Sequence, residues 1–416
     1  MEKQNDKRSK RVRKDLPRFD VQGEKVKNTT ISEEKKMKIG LYDVDSHNFP
    51  NLALMKISAY HKSLGHQVEW LNRLEHYDKV YISKVFGDEY SQIDRTVIDA
   101  DEIIWGGTGF AITVENGKEV YHKDRDTNLP YEIEHIYPDY SLYPELTKNK
   151  AFGFLTRGCC NNCEFCLVSK KEGICSTKVA DLTEWWSGQK EIILLDPNIL
   201  ACKDRINLLQ QLADSGAKVE FNQGLDARFV TPKVAEKLKT IKTKTWHFAF
   251  DFMKNEKKIV KGLKTFVNIV QPNRRDCKVY VLTNYDTTFA EDWHRIELIR
   301  EIGLNPDIRI YRKPTAPPLT RDLQRWCNNR FVFESCPNFM EYVPRSDGKT
   351  IEELYFKGER HERIKKNNTK TKKRTTGTRP SDGHMECGTE VSPSAVDTLP
   401  AIPPFHEIQE KTYKAD

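Results

Sequence analysis

The sequence predicts an α/β protein in which two runs of alternating parallel strands and helices follow one another along the chain. Three observations favour this fold class. Short apolar runs of strand length alternate with amphipathic stretches of helical period. The strands of the second run are spaced by roughly 25–40 residues, as successive βα units require. Both ends of the chain, in contrast, are polar and charged and lack apolar periodicity.

The first run begins with a predicted strand at Ile39–Val44, and a helix at about Asn51–Gly65 follows it. Further strands are predicted at Gln67–Leu71, Lys79–Phe86 and Glu102–Trp105. This order indicates a Rossmann-like parallel unit. Its last strand runs into Gly106-Gly107-Thr108-Gly109, which matches no complete phosphate-binding loop. We therefore interpret this stretch as a tight turn rather than as a ligand site.

The second run begins at Ala151 and predicts a partial (β/α)6 barrel of the TIM type. Its predicted strands are Ala151–Thr156, Glu191–Leu195, Lys218–Asn222, Thr245–Phe250, Lys278–Thr283 and Asp307–Tyr311. The predicted helices lie around Leu182–Ser187, Arg205–Ser215, Pro232–Lys239, Glu256–Ile269 and Glu291–Ile302. In such a barrel, functional groups collect at the carboxyl ends of the strands.

Composition shifts divide the chain into five segments. They are a disordered basic arm at 1–36, the Rossmann-like unit with a loop-rich linker at 37–150, the partial barrel at 151–315, a docking segment around Trp326 and Phe331 at 316–355, and a disordered tail at 356–416. The arm carries 12 Lys and Arg against seven Asp and Glu, and the tail carries 12 against nine. The excess positive charge therefore belongs to the two ends. We expect any contact with nucleic acid through these tails only.

The sequence predicts a cytoplasmic location and no membrane contact. The N-terminus lacks the apolar region of a secretory signal. No apolar run approaches the ~18 residues of a membrane span. Ten cysteines are too few for a disulfide scaffold in a chain of 416 residues.

Four cysteines are crowded between Cys159 and Cys166, immediately after the first predicted strand of the barrel. Cys159, Cys163 and Cys166 have the spacing C-x3-C-x2-C. Thiolates are the ligands of iron–sulfur clusters, and a [4Fe–4S] cluster usually takes four of them. A loop that offers three thiolates would leave one iron open to another ligand.

Other interpretations of these cysteines remain open at this point. Cys160, Cys163 and Cys166 fit the opening of a bacterial ferredoxin motif, although no Cys-Pro follows at the required distance. Cys175 could complete a zinc site at an unusual spacing. Four neighbouring thiols without a metal are the remaining alternative.

The cysteine loop, with Phe165 before its last cysteine, resembles that of the radical S-adenosylmethionine superfamily over residues 151–315. The resemblance implies that Cys159, Cys163 and Cys166 hold a [4Fe–4S] cluster whose open iron binds S-adenosylmethionine. It implies reductive cleavage of this cosubstrate to a 5′-deoxyadenosyl radical, which abstracts hydrogen from an unidentified substrate. The electron would come from an external donor of the flavodoxin or ferredoxin type. The absence of other grouped cysteines in the sequence indicates a single cluster.

The family often binds S-adenosylmethionine through aromatic and polar groups near the cluster and at other strand ends. The resemblance therefore gives as candidate cofactor-binding residues Phe165, Asp196, Asn222, Arg228, Asp251 and Asn284. Asp196 could bind the amino group or cap the turn that follows it. Arg228 could bind the carboxylate or form an ion pair with Asp226.

The first unit resembles the cobalamin-binding domain that precedes many radical S-adenosylmethionine domains. Asp45-Ser46-His47 matches the start of the axial-histidine motif D-x-H-x-x-G, but Pro50 replaces its glycine, which argues against cobalamin binding. The whole arrangement resembles uncharacterised bacterial and phage members of the superfamily. The alternative function is a non-catalytic zinc or iron–sulfur protein that contacts nucleic acid through its basic tails.

Overall fold

The computed structural model describes residues 35–93, 98–115 and 118–357. It confirms the predicted α/β fold class, because helices alternate with strands that pair in parallel. The predicted disordered arm and tail lie almost entirely outside the described residues. No helix in the described ranges is both long and apolar enough to cross a membrane.

The first sheet has four parallel strands in the order β2-β1-β3-β4. They are β1 (Lys38–Asp43), β2 (Gln67–Trp70), β3 (Tyr77–Ser83) and β4 (Ala100–Gly106). All four predicted strands are confirmed. Helix α1 (Leu52–Ser63) joins β1 to β2, and the Asn51 side chain caps it by accepting the Leu54 amide at 3.2 Å. Leu54 packs on Ile39 of β1 in a small core, and Gly65, at φ +79°, follows the end of the helix.

Residues 110–150 contain more structure than the predicted linker. Strands β5 (Ile112–Glu115) and β6 (Lys118–Tyr121) form an antiparallel hairpin, and two one-turn helices follow, α2 (Tyr131–Glu134) and α3 (Pro144–Thr147). The hairpin lies within the stretch predicted to be loop-rich, and the sequence analysis did not predict it. The dipeptide Asn116-Gly117 between its strands is the sequence signal that was overlooked, because Asn-Gly is strongly preferred in two-residue hairpin turns.

The remaining strands form the second region of the fold. In chain order they are β7 (Lys150–Gly153), β8 (Thr156–Arg157), β9 (Thr177–Lys178), β10 (Glu191–Leu194), β11 (Lys218–Phe221), β12 (Trp246–Ala249), β13 (Cys277–Thr283) and β14 (Asn305–Ile310). Strands β8 and β9 form a short antiparallel pair. The other six pair in parallel as β7-β10-β11 and β12-β13-β14. Bridges between Val219 and Thr243 and between Leu225 and Phe248 link the two sets. The order is that of the predicted partial barrel.

Helices cover this region. They are α4 (Val168–Glu172), α5 (Arg205–Asp214), α6 (Pro232–Lys239), α7 (Glu256–Val270), α8 (Phe289–Glu301), α9 (Pro318–Asn328), α10 (Arg330–Ser335) and α11 (Ile351–Tyr355). The helix predicted at Leu182–Ser187 is wrong, because only a 3-10 turn forms at Leu182–Glu184. The indoles of Trp185 and Trp186 instead donate to the carbonyls of Phe154 and Gln189 at 3.2 and 2.9 Å. These bonds hold the chain in an irregular path beside the sheet.

A buried guanidinium holds together the carboxyl ends of β12 and β13. Arg295 of α8 is fully buried and donates to the carbonyls of Phe250 and Leu282 at 2.7 and 2.8 Å. It also pairs with Asp292 of the same helix. Because hydrogen bonds from a charged donor are stronger than neutral ones, these contacts fix the two strand ends from which candidate site residues follow.

Helix α9 covers the edge strand β14. The Asn328 side chain accepts the Ile308 amide at 2.7 Å and donates to the Ile308 carbonyl at 3.0 Å. These are backbone groups that a further strand would use. Trp326 of the same helix is fully buried, whereas Phe331 is 80% exposed. Only the first of the two aromatic residues predicted for docking therefore packs against the protein.

Candidate functional site

The four clustered cysteines lie in a loop at the carboxyl edge of the second region, between β8 and α4. The loop begins at Gly158, whose φ is +86°. A Cβ atom at this position would lie 2.1 Å from the carbonyl oxygen of Cys175. Only glycine fits both this backbone conformation and this space. The starting point of the loop is therefore fixed by local sterics.

Hydrogen bonds from α4 brace the loop. The Glu172 carboxylate accepts the Gly158 amide at 3.1 Å and pairs with Arg157 at 2.9 Å. The Cys159 amide donates to the carbonyl of Gly173 at 3.1 Å. These two hydrogen bonds fix the backbone at Gly158 and Cys159, and with it the position of the first thiol of the motif.

Cys159, Cys163 and Cys166 are half-buried free thiols, and Cys160 is exposed. Burial raises the pKa of Cys163 to about 11, and the neighbouring Cys166, Asp251 and Cys159 contribute in the same direction. Burial also raises the pKa of Cys166, with a further contribution from Cys159. The three thiols therefore lie within electrostatic range of one another. With their pKa raised, Cys163 and Cys166 keep their protons at neutral pH unless a metal displaces them.

The chemistry of this donor set fits an iron–sulfur cluster, because one loop offers three free, half-buried thiols. Within the described ranges, no group of three or more His, Cys, Asp or Glu side chains is arranged around a common point that could hold a metal ion. The ligands of a cubane bind separate irons and do not surround one point.

Asp196, which follows β10, holds the strand that leads into the cysteine loop. Its buried carboxylate accepts the amides of Leu155 and Thr156 at 2.8 and 2.7 Å. The Thr156 hydroxyl donates to it at 2.5 Å. Burial raises the pKa of Asp196 to about 7, although these hydrogen bonds favour the charged form. The Asp196 carboxylate therefore binds two backbone amides and one hydroxyl at the start of β8.

A polar network joins the loop to two strand ends. The buried Asn198, which follows β10, places its Nδ2 3.7 Å from the Cys159 sulfur and 3.1 Å from Asp226 Oδ2. Arg228 donates to both Asp226 oxygens, at 2.9 and 2.6 Å. The loop residue Asn161 donates to Asp226 Oδ2 at 3.3 Å and accepts from Arg228. Arg228 thus forms the ion pair that the sequence offered as one of its two roles.

Asp226 stays charged in this network. Burial would raise the pKa of Asp226, but the hydrogen bonds and the charge of Arg228 outweigh burial and hold it below its ordinary value. The site therefore contains a fixed pair of opposite charges beside Cys159 and Cys160, both of which act electrostatically on Arg228.

Asp251 lies at the end of β12 and accepts the Leu282 amide at 3.2 Å. Burial raises the pKa of Asp251, while the charge of Arg295 opposes the increase. Its charge acts on both Cys163 and Cys166, which places it beside the loop. Asp251 thus lies within electrostatic range of two of the cysteines.

Asn284 and Asn222 lie at the carboxyl ends of β13 and β11. Asn284 has φ +61° and donates from its side chain to the Tyr311 carbonyl at 2.8 Å, so it shapes the turn. Asn222 is half-buried, and its backbone amide donates to the Leu194 carbonyl at 3.1 Å. The described contacts connect Asn284, but not Asn222, to a neighbouring strand end through the side chain.

Phe165 packs into an aromatic group at the ends of the last three strands. Its ring centroid lies 6.0 Å from that of Phe252, 5.0 Å from Tyr285 and 6.5 Å from Tyr311. The Tyr285 hydroxyl donates to Glu164 at 3.2 Å. Sequence reasoning selected Phe165 but missed Tyr285 and Tyr311. The available signal was their position at the carboxyl ends of predicted strands, since Tyr311 is the last residue of one and Tyr285 comes two residues after another.

The turn at the carboxyl edge of the first sheet contacts α4, the helix that follows the cysteine loop. Thr108, in the glycine-rich stretch, accepts a hydrogen bond from Lys171 of α4. A Cβ atom at Gly107 would lie 2.3 Å from the Lys84 carbonyl oxygen. This close approach supports the interpretation of the stretch as a tight turn. His47 is exposed after β1 with φ +40°.

No protein-family model and no curated protein matches the sequence. Among solved structures, the chain is similar to TsrM, a radical S-adenosylmethionine methyltransferase from Kitasatospora setae determined with cobalamin and a [4Fe–4S] cluster bound. The identity is 10% and the TM-score 0.45, over 66% of this chain and 75% of that chain. At this level of similarity, the function has to be inferred from the site itself.

Proposed function

We propose that this chain is a radical S-adenosylmethionine enzyme with one [4Fe–4S] cluster held by Cys159, Cys163 and Cys166. The observation that carries the proposal is the position of the C-x3-C-x2-C loop. It comes shortly after β7, the first of the six strands that pair in parallel, and its thiols lie beside polar groups from the neighbouring strand ends. A cluster bound there with one open iron would supply the electron that cleaves S-adenosylmethionine to methionine and a 5′-deoxyadenosyl radical.

The other residues of the site would bind and orient the cosubstrate. Phe165 offers an aromatic surface next to the last cysteine, and Arg228 with Asp226 supplies a fixed charge pair beside the first. Asn222, Asp251 and Asn284 follow β11, β12 and β13 and would complete the set of polar groups at this edge. The proposal includes an external one-electron donor of the flavodoxin or ferredoxin type and a substrate of unknown identity.

The proposal includes no cobalamin. Pro50 stands where the axial-histidine motif requires glycine, and it is buried at the start of α1. Contact with nucleic acid, if it occurs, is expected through the basic ends of the sequence.

Formation of 5′-deoxyadenosine tests this function. The full chain is reconstituted with iron and sulfide without oxygen, reduced with dithionite and mixed with S-adenosylmethionine. We expect about four irons per chain, as a [4Fe–4S] cluster requires, and release of 5′-deoxyadenosine and methionine, measured by mass spectrometry. One zinc per chain without cleavage would instead support a structural metal site.

Single cysteine variants identify the ligands within the same experiment. Cys159→Ala, Cys163→Ala and Cys166→Ala should each lose the cluster and the cleavage. Cys160→Ala is the matched control, because its exposed thiol lies in the same loop. Loss of the cluster in Cys160→Ala, with retention in Cys159→Ala, would show that the C-x2-C-x2-C register is the correct one.

A further inference from the structure

A buried amide contacts the first candidate ligand of the cluster. Asn198 is 3% exposed, and its Nδ2 lies 3.7 Å from the sulfur of Cys159. We propose that Asn198 is a positioning residue that raises the reduction potential of the cluster by donating an N–H group to this sulfur. The inference rests on the proposed function, since it concerns the cluster that the function requires.

The neighbouring charge fixes the orientation of this amide. The carboxylate of Asp226 lies 3.1 Å from Nδ2 of Asn198 and accepts one of its two hydrogens. The reverse orientation would place the Asn198 oxygen against a carboxylate that carries a negative charge, which is unfavourable. The second hydrogen of the same nitrogen is then left for the sulfur of Cys159.

The surroundings hold the amide in place. The backbone carbonyl of Asn198 accepts the Ser176 hydroxyl at 2.8 Å. Arg228 donates to Asp226 from its backbone and its guanidinium, so the carboxylate that orients the amide is itself fixed. The Asn198 Oδ1 atom is buried, and no described residue donates to it. The side chain is therefore held through its NH₂ group alone.

An N–H group directed at a ligand sulfur favours the reduced cluster, which carries one more negative charge than the oxidised cluster. Hydrogen bonds to the sulfurs are among the factors that set the potential of such clusters. Removal of the amide should therefore shift the potential to a more negative value without removing any ligand.

The test is a redox titration of the reconstituted full chain, followed by electron paramagnetic resonance. Asn198→Ala should keep the iron and sulfide content of the wild type and show a more negative midpoint potential. Asn198→Asp, which keeps the size of the side chain but lacks the NH₂ group, should shift at least as far in the same direction. Asn207→Ala removes an exposed amide from α5, after the same strand, and should leave the potential unchanged.

The outcomes separate this inference from the proposed function. A wild-type chain that binds no cluster contradicts the proposed function. A wild-type chain that cleaves S-adenosylmethionine, with an unchanged or higher potential in Asn198→Ala, overturns only the role of Asn198. Loss of the cluster in both Asn198 variants also overturns it, because the amide would then be a structural requirement of the loop.

Discussion

Single carboxylates hold the loops at the carboxyl edges of both parallel regions. Asp45, after β1, accepts the amides of Val85 and Phe86 at 2.8 and 2.9 Å. Asp196, after β10, accepts two consecutive amides in the same way. In each case a buried carboxylate accepts hydrogen bonds from backbone amides just beyond the end of the neighbouring strand. Strand pairing no longer provides these amides with an acceptor there. These residues position loops at the two edges that carry the candidate functional groups.

The sequence identifies such residues but not their partners. It placed Asp196 at a strand end and left open whether it binds a ligand or caps a turn. The structure shows contacts with Leu155 and Thr156, which lie about 40 positions earlier in the chain. Partners at that separation depend on the pairing of β10 with β7, which local patterns do not determine. For the same reason, the contact between Asn198 and Cys159 was not predicted.

A buried histidine pair gives a pH prediction at the residue scale. His61 is 3% exposed and shares hydrogen bonds with His66 at 2.8 Å and with the Tyr81 hydroxyl at 2.9 Å. Burial and the neighbouring His66 and Lys79 lower the pKa of His61 to about 4. The unfolded chain, with an ordinary histidine, takes up a proton at higher pH than the folded chain. Stability contributed by His61 is therefore lost as the pH falls from about 6.5 towards 4.

His61→Gln should flatten this dependence. The wild-type chain should lose about 1–2 kcal/mol of unfolding free energy through this group between pH 7 and pH 5, and the variant should not. Urea unfolding at the two pH values measures the difference. His76→Gln is the control, because His76 is exposed and its pKa is raised by Asp99 rather than lowered. Equal slopes for His61→Gln and the wild type would contradict the assignment.

At the scale of the elements, strands were predicted better than the connections between them. Strands β1, β7 and β10 each contain three consecutive buried residues and appear in the sequence as short apolar runs. The 3-10 turn at Leu182–Glu184 has the apolar spacing of a helix, yet the hydrogen bonds of two indoles to the backbone override it. The sequence contains a signal for the hairpin β5–β6 in the dipeptide Asn116-Gly117. It contains no local signal for the hydrogen bond between Glu172 and the cysteine loop.

The start of the cysteine loop gives a prediction at this scale. Gly158→Ala combines a positive φ with a Cβ atom 2.1 Å from a backbone oxygen. Gly173→Ala, directly after α4, has φ +98° but open space around the new Cβ. We expect Gly173→Ala to cost about 1–2 kcal/mol from the φ value alone. Gly158→Ala should cost more and should also reduce the iron retained after reconstitution.

Urea unfolding and iron analysis of the two variants compare them directly. Both substitutions add one methyl group at a glycine with positive φ, one at the start of the loop and one after α4, so a difference between them reports the steric contact with Cys175. Similar losses in the two variants would mean that the backbone at Gly158 moves to accommodate the side chain.

At the scale of the whole molecule, residues between the first sheet and the second region contact the helix that follows the cysteine loop. Lys171 of α4 pairs at 3.3 Å with Asp126, whose side chain is 4% exposed, and also donates to Thr108. The Tyr121 hydroxyl donates to the same carboxylate at 2.8 Å. Residues before position 127 thus hold the helix that ends the cysteine loop. The spacing of the predicted strands and helices indicated two βα regions. The contacts between these regions depend on individual side chains, which apolar periodicity does not specify.

Lys171→Met tests this support. The change keeps the length of the side chain and leaves the buried Asp126 without its cation, so we expect a loss of about 2 kcal/mol of unfolding free energy. The reconstituted variant should also release iron to a chelator faster than the wild type. Lys170→Met, at the exposed neighbouring lysine, is the control. Iron release at the wild-type rate in Lys171→Met would show that the loop retains iron without the contacts of Lys171 with Asp126 and Thr108.

The proposed function requires that three thiols leave one iron of a [4Fe–4S] cluster open to S-adenosylmethionine. The most direct measurement is the electron paramagnetic resonance spectrum of the dithionite-reduced, reconstituted chain before and after addition of this cosubstrate. We predict the signal of a reduced [4Fe–4S] cluster whose g values shift when S-adenosylmethionine binds the open iron. A signal that does not change on addition, or no cluster signal at all, would contradict the account.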